Sequence, residues 1–291
     1  MRQRNAQPEQ DAPCVIFREA AIRRGGRIIW RDGDFEIPMG SVTAIVGTNG
    51  TGKTSMMKAE LGLLPLDHGS IQVLGQPAGA ANQRIGYVPQ SYTSDIDSNL
   101  TAEQSVLLGL TGTMFGIHIV SRAERSKARQ ALEFVGIADR AAYRLSELSG
   151  GQRQRVAIAQ ALVSDPLLLM LDEPLANLDM ASQRSVVDVL AKLNREMGMT
   201  IQVVAHDINM LLPILTGAVY LLDGHPHYAA LDKVLDSDLL THLYGTSVRV
   251  VTTPQGDMFV TPGNAGGEAA PQHTHDATEL AMMHQHEGGS R

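Results

Sequence analysis

The spacing of apolar and polar positions changes along the chain. From Cys14 to Val46, short runs rich in β-formers ("CVIF", "RIIW", "DFEI", "SVTAIV") are separated by turn residues, with "IPMGS" joining the last two. This pattern predicts strands. "TAIVG" runs into a glycine-rich loop, and "KTSMMKAELGLL" predicts a helix that stops near Gly62 and Pro65. "GSIQVLGQP" and "RIGYVPQ" predict two more strands. "TAEQ" at Thr101–Gln104 and "SRAE" at Ser121–Glu124 have capping-box spacing, and the second opens a charged helix ended by Gly136. "GGQRQRVAIAQALVSDP" is a further helix, stopped before Pro166. "LLLML", "TIQVVA" and "AVYLL" are continuous apolar runs alternating with helical segments. Such runs predict a parallel sheet covered on both faces, an α/β architecture. "VRVVTTPQGDMFV" predicts a hairpin around "PQGD".

The ends differ from the middle. Residues 1–13 are polar and proline-punctuated, and are expected to be disordered. Residues 246–264 form a short β extension. Residues 265–291 turn to Gly, Ala and His and are expected to be flexible. The longest uncharged apolar run, "INMLLPILTGAVYLL", is broken by Pro213 and Gly217 and falls short of the roughly 20 residues of a membrane helix. The N-terminus has no apolar core and is not a secretory signal.

Composition narrows the function. The net charge of −7 argues against general nucleic-acid binding. A hydrophobic share of 43% suffices for a large core. The lone Cys14 excludes an internal disulfide and reads as a small apolar strand residue, in keeping with a reducing cytoplasm.

The chemistry starts at "GTNGTGKT", Gly47, Thr48, Asn49, Gly50, Thr51, Gly52, Lys53 and Thr54, followed by Ser55. The spacing is that of a phosphate-binding loop between a strand and a helix. Backbone N–H groups and the helix N-terminus would cradle phosphates, Lys53 would reach the β- and γ-phosphates, and Thr54 would offer its hydroxyl to Mg²⁺. "LLLMLDEP" ends a buried strand in two carboxylates. Asp172 would hold Mg²⁺ and Glu173 would polarise the attacking water. "LSGGQ", Leu148, Ser149, Gly150, Gly151 and Gln152, places a serine and two glycines at a helix N-terminus, a second anion site.

In chain order come "GTNGTGKT", "YVPQ", "LSGGQ", "LLLMLDEP", "ANLD" and "VVAHD". This set resembles the nucleotide-binding subunit of an ABC transporter, and the resemblance covers residues 14 to about 245. It implies a P-loop (RecA-like) parallel-sheet core, an N-terminal antiparallel β subdomain and an α-helical signature subdomain at about 95–165. It implies that Gln90 senses Mg²⁺ and water, and that Ser149 and Gly151 contact the γ-phosphate held by a second subunit. It also implies that Asp179 lies across that interface and that His206 bonds the γ-phosphate and positions Glu173. Members of this family carry an aromatic residue that stacks on adenine. Arg24 falls at that position here, with Trp30 and Phe17 as alternative stacking partners.

The resemblance further implies a homodimer with two ATP sites, a separate integral-membrane permease and an extracytoplasmic solute-binding protein. The subunit would sit at the cytoplasmic face of the membrane. The segment from Gln90 to about Ile119 is the expected docking surface. An acidic stretch after "YVPQ" (Ser94–Asp97) and the closing "LYGTSVRVVTTPQGDMFVTP" resemble metal-ion importers, zinc first, with manganese or iron-chelate import as the alternative. A non-metal ABC system, or a soluble ABC ATPase of an assembly system such as iron–sulfur assembly, is a third reading. In the tail, His273, His275, His284 and His286 form two His-x-His pairs, and His225 and His227 form another. Imidazole suits Zn²⁺. The tail reads either as a weak, tethered zinc site or as solvated chain.

Overall fold

The computed structural model describes residues 12–90, 99–112, 119–253 and 258–263. Expectations for the N-terminal residues up to 11, the acidic stretch 94–97, the hairpin turn and the histidine tail fall outside these. So does part of the docking segment.

Three sheets form. The central one has six strands in the order β10 (His225–Ala230), β9 (Gly217–Leu222), β3 (Val42–Val46), β8 (Thr200–Val204), β7 (Leu168–Asp172) and β6 (Ile85–Val88). β9, β3, β8, β7 and β6 run parallel, while β10 returns antiparallel from β9. β3, β7 and β8 are buried along their whole length, as continuous apolar runs require.

Alternation along these strands feeds two cores. Val42, Ala44, Leu169, Leu171, Ile201 and Val203 face one side. There they meet the helices α2 (Ala102–Thr111), α3 (Arg122–Phe134), α4 (Gly150–Leu162) and α5 (Met180–Met197). Ile45, Leu168, Met170 and Val204 face the other side, against α1 (Lys53–Glu60), β1 (Pro13–Arg24) and β2 (Arg27–Pro38). The latter two belong to a four-stranded antiparallel sheet, β2-β1-β4-β5, with β4 at His68–Val73 and β5 at Gln76–Pro77. "RIIW" and "DFEI" are thus parts of one long strand. Phe17 stacks on Phe35 at 4.4 Å, and Trp30 packs beside Phe17.

Thr101, Ser121 and Ser149 each close a full capping box at the start of a helix. α6 (Leu231–Val234) and α7 (Ser237–Tyr244) follow β10, and β11 (Val248–Thr252) pairs with β12 (Met258–Pro262).

The expectation of a helical segment after "TIQVVA" is not met. Residues 206–216 run as turns. The Asn209 N–H donates to Asp207 at 2.9 Å, and the Asn209 side chain exchanges two hydrogen bonds with the Val260 backbone. These bonds engage backbone groups that a helix would need. "AVYLL" is likewise followed by a hairpin strand rather than a helix.

Candidate active site

Four adjacent strands deliver the site. The phosphate loop follows β3, Gln90 follows β6, Asp172 and Glu173 end β7, and His206 follows β8. In an open α/β sheet the carboxyl ends of the strands are where ligands bind.

α1 differs from the capped helices. Its N-cap is Gly52, at φ 98°, and no side chain caps it. The first-turn N–H groups are therefore available to an anion. Glycine is required at 52 twice over. The left-handed backbone favours it, and a Cβ would collide with Ile29 and lie 3.0 Å from Trp30. The N-terminal sheet thus rests directly on the phosphate loop.

The Lys53 ammonium is buried and donates to the carbonyls of Gly47 at 2.8 Å and Thr48 at 3.0 Å. Burial lowers its pKa, against the raising effect of Glu173 and Asp172. Thr54 Oγ1 donates to Asp172 Oδ1 at 3.1 Å. Burial raises the Asp172 pKa, and the neighbouring Glu173 charge raises it further, while the Thr54 bond and the lysines lower it. A hydroxyl and a carboxylate side by side form an oxygen donor set that fits Mg²⁺.

Glu173 takes the left-handed conformation, φ 51°, which costs energy for a non-glycine residue. The Glu173 N–H donates to the carbonyl of Val204 at 3.0 Å, and its carboxylate accepts from Gln90 Nε2 at 2.7 Å. Glu173 and His206 line one cleft of about 190 Å³, with Leu175, Gln183 and Met210 among its walls.

Ser149 and its glycines lie apart, at the start of α4. Ser149 Oγ accepts from the Gln152 N–H, which leaves the hydroxyl proton available to an external acceptor. Leu148 is buried, and its carbonyl accepts from Arg153 at 2.6 Å. A Cβ on Gly151 would lie 2.5 Å from Ser182 Oγ. Ser182 in turn donates its N–H and hydroxyl to Asp179, which caps α5 and has its pKa lowered by those bonds. Gln183 donates to the carbonyls of Leu175 and Leu178 and so holds the loop that carries Asp179. Ser182, Gln183 and Ile29 were not legible as site neighbours. Their roles come from contacts between elements far apart in sequence.

The stacking alternatives need correcting. Trp30 and Phe17 are fully buried between β-sheet and α1, so neither can stack on a bound base. Their strand register turns them inward. Arg24 is exposed at the end of β1, opposite Arg27. Outside the phosphate site, His225 faces Asp32 at 3.3 Å and His227 packs by Tyr220. Among the described residues, no group of three or more His, Cys, Asp or Glu is placed to hold a metal ion.

An uncapped helix behind a glycine loop, a buried lysine and a strand-end carboxylate pair define a P-loop nucleoside-triphosphate hydrolase. Residues 30–176 match the family model described as ABC transporter. The chain belongs to this family: it is the ATP-binding subunit of an ABC importer, an ATPase coupled to transport. It is 35% identical over 230 residues to the zinc transport system ATP-binding protein TroB of Treponema pallidum, covering 79% of this chain and 86% of that one. It is 36% identical over 229 residues to the phosphonates import ATP-binding protein PhnC of Stutzerimonas stutzeri, covering 73% and 82%. An inward-facing ABC transporter described as of metal-chelate type superposes with a TM-score of 0.76 at 25% identity, covering 87% of this chain and 99% of that one. Among the described residues, no helix is long and apolar enough to cross a membrane.

Proposed function

We propose that this subunit powers import of a transition-metal ion, zinc first. The observation that carries the solute class is the 35% identity to TroB across most of both chains. Manganese or iron-chelate import is the near alternative. The identity to PhnC favours a second reading, phosphonate import. Iron–sulfur assembly is the reading with least support.

The first-turn N–H groups of α1, the loop 47–52 and Ser55 hold the phosphates of ATP, and Lys53 turns from the loop carbonyls toward the β- and γ-phosphates. Arg24 stacks on adenine. Thr54 and Asp172 would hold Mg²⁺, with the Gln90 side-chain oxygen as a further ligand; the ion would supply charge neutralisation on the phosphates. Glu173 accepts the proton of the attacking water, and His206 shares its cleft and positions it. Ser149 donates its free hydroxyl proton, and Gly151 its N–H, to the γ-phosphate in a second copy. Asp179 lies across that interface. Each copy lacks one half of a site, so a two-fold pair completes two.

A separate permease in the membrane docks on the segment Gln90–Ile119, and an extracytoplasmic solute-binding protein delivers the ion. The subunit lies on the cytoplasmic face. Deletion of the gene, followed by growth in chelator with single metals restored, tests the solute. Zinc-specific rescue is the expected result. Unimpaired growth under all metal limitation, with lost growth on phosphonate, would replace it with the second reading.

A further inference from the structure

Glu60 closes α1 at the end opposite the phosphate loop. It is fully buried, and both carboxyl oxygens lack a hydrogen-bond partner. Gln202 in the middle of β8 is also fully buried, with its amide nitrogen and oxygen unpartnered. It lies in register between Thr43 of β3 and Met170 of β7, on the sheet face that α1 covers. Its amide acts on the Glu60 carboxyl. No hydrogen bond joins the two groups in this structure, yet they are near enough for the amide to act on the carboxyl.

The chemistry of the pair depends on one proton. A buried carboxylate with no cation beside it is costly. A neutral carboxylic acid facing a carboxamide is not, because its O–H donates to the amide oxygen while the amide N–H donates back. The charged surroundings are sparse. β1 contributes the Cys14 thiol, which burial pushes up to about 12, so it stays neutral. β8 and β3 contribute the uncharged Thr200 and Thr43. The other buried charged residues, Lys53 and Asp172, belong to the phosphate site at the far end of α1.

We propose that Glu60 is protonated in the working protein and that the Glu60–Gln202 acid–amide pair is a positioning element. It ties the far end of the phosphate-loop helix to the strand that leads to His206. Neither residue touches nucleotide. Both act through the elements that hold Lys53, Thr54 and His206.

The pair makes the site sensitive to alkali. Burial pushes the Glu60 carboxyl from 4.5 up to about 8. Its stabilising contribution is therefore full below 4.5 and is lost as pH rises through about 8. Ionisation would leave a lone charge between α1 and β8 and part the two elements.

The test is steady-state ATPase kinetics and thermal melting of the full chain from about pH 7 to pH 9. It compares the native protein, Glu60→Gln and the double variant Glu60→Leu with Gln202→Leu. The neutral form of a group titrating at about 8 falls roughly ten-fold over that range, so native kcat should fall about ten-fold further than that of Glu60→Gln. Glu60→Gln, which keeps shape and hydrogen bonding, should match the native kcat at pH 7. The double variant, with an apolar pair, should melt at the same temperature throughout. Identical pH profiles for the native protein and Glu60→Gln would overturn the proposal. So would an alkaline loss that persists in the double variant. A change in melting with no change in the kcat profile would reduce the pair to fold stability alone. The readout uses ATP only and is independent of the solute.

Discussion

Gln90 Nε2 donates to the Glu173 carboxylate across 2.7 Å, joining the segment after β6 to the end of β7. The proposed base is therefore engaged by the first residue of the segment proposed to meet the permease. A shift of that segment would be felt at Glu173 with no intermediate.

Glu173→Gln keeps the shape and removes the basic oxygen. Loss of a general base costs about 10²–10⁴ in rate. ATP hydrolysis should fall at least about 100-fold while ATP binding persists, measured by phosphate release and nucleotide titration. Near-normal turnover would remove Glu173 from its role.

Asp172→Asn separates stability from chemistry. Burial raises the Asp172 pKa, so its contribution to stability is full below 3.8 and is lost as pH rises through its folded value. At neutral pH the charge opposes folding. The variant should melt higher without nucleotide, yet lose Mg²⁺-dependent hydrolysis. A lower melting temperature would show that the Thr54 bond and the lysines outweigh burial.

Gly151→Ala places a methyl 2.5 Å from Ser182 Oγ, between α4 and α5. Overpacking of this kind costs about 1–3 kcal/mol. Chemical denaturation should show that loss. Hydrolysis should drop more than ATP binding by the isolated subunit, because Gly151 is proposed to serve the partner's nucleotide.

Arg24→Ala tests the adenine contact. An exposed cationic stack is worth about 0.5–1 kcal/mol, so ATP affinity should weaken roughly two- to five-fold, with a smaller effect on inorganic triphosphate. Equal affinity for ATP in the two proteins would leave the base without Arg24.

The legible parts of the fold were those decided locally. The phosphate loop, the capping boxes at Thr101 and Ser121 and the apolar runs of β3, β7 and β8 each carry their cause within a few residues. Trp30 did not. Its burial depends on a β1–β2 register, Ile22 opposite Trp30, that contains several irregularities. β10 was hidden for another reason. "HPHYAA" has weak alternation, and its histidines drew attention as a pair rather than as edge-strand residues. The turns after β8 owe their shape to Asn209 and a strand some fifty positions later. In the site, Asp172 and Glu173 sit at a strand end, whereas the close approach of Ser182 to Gly151 exists only once α4 and α5 meet.

The bond from the Glu173 N–H to the Val204 carbonyl has a kinematic consequence. It fastens the end of β7 to the end of β8, so the backbone segments that carry Glu173 and His206 form a single board. Ser149 of a partner copy rides on a different body. In the proposed pair, the coordinate that ATP can change is the gap between that serine and this board. In that pair, the energy of binding would be read out as subunit travel.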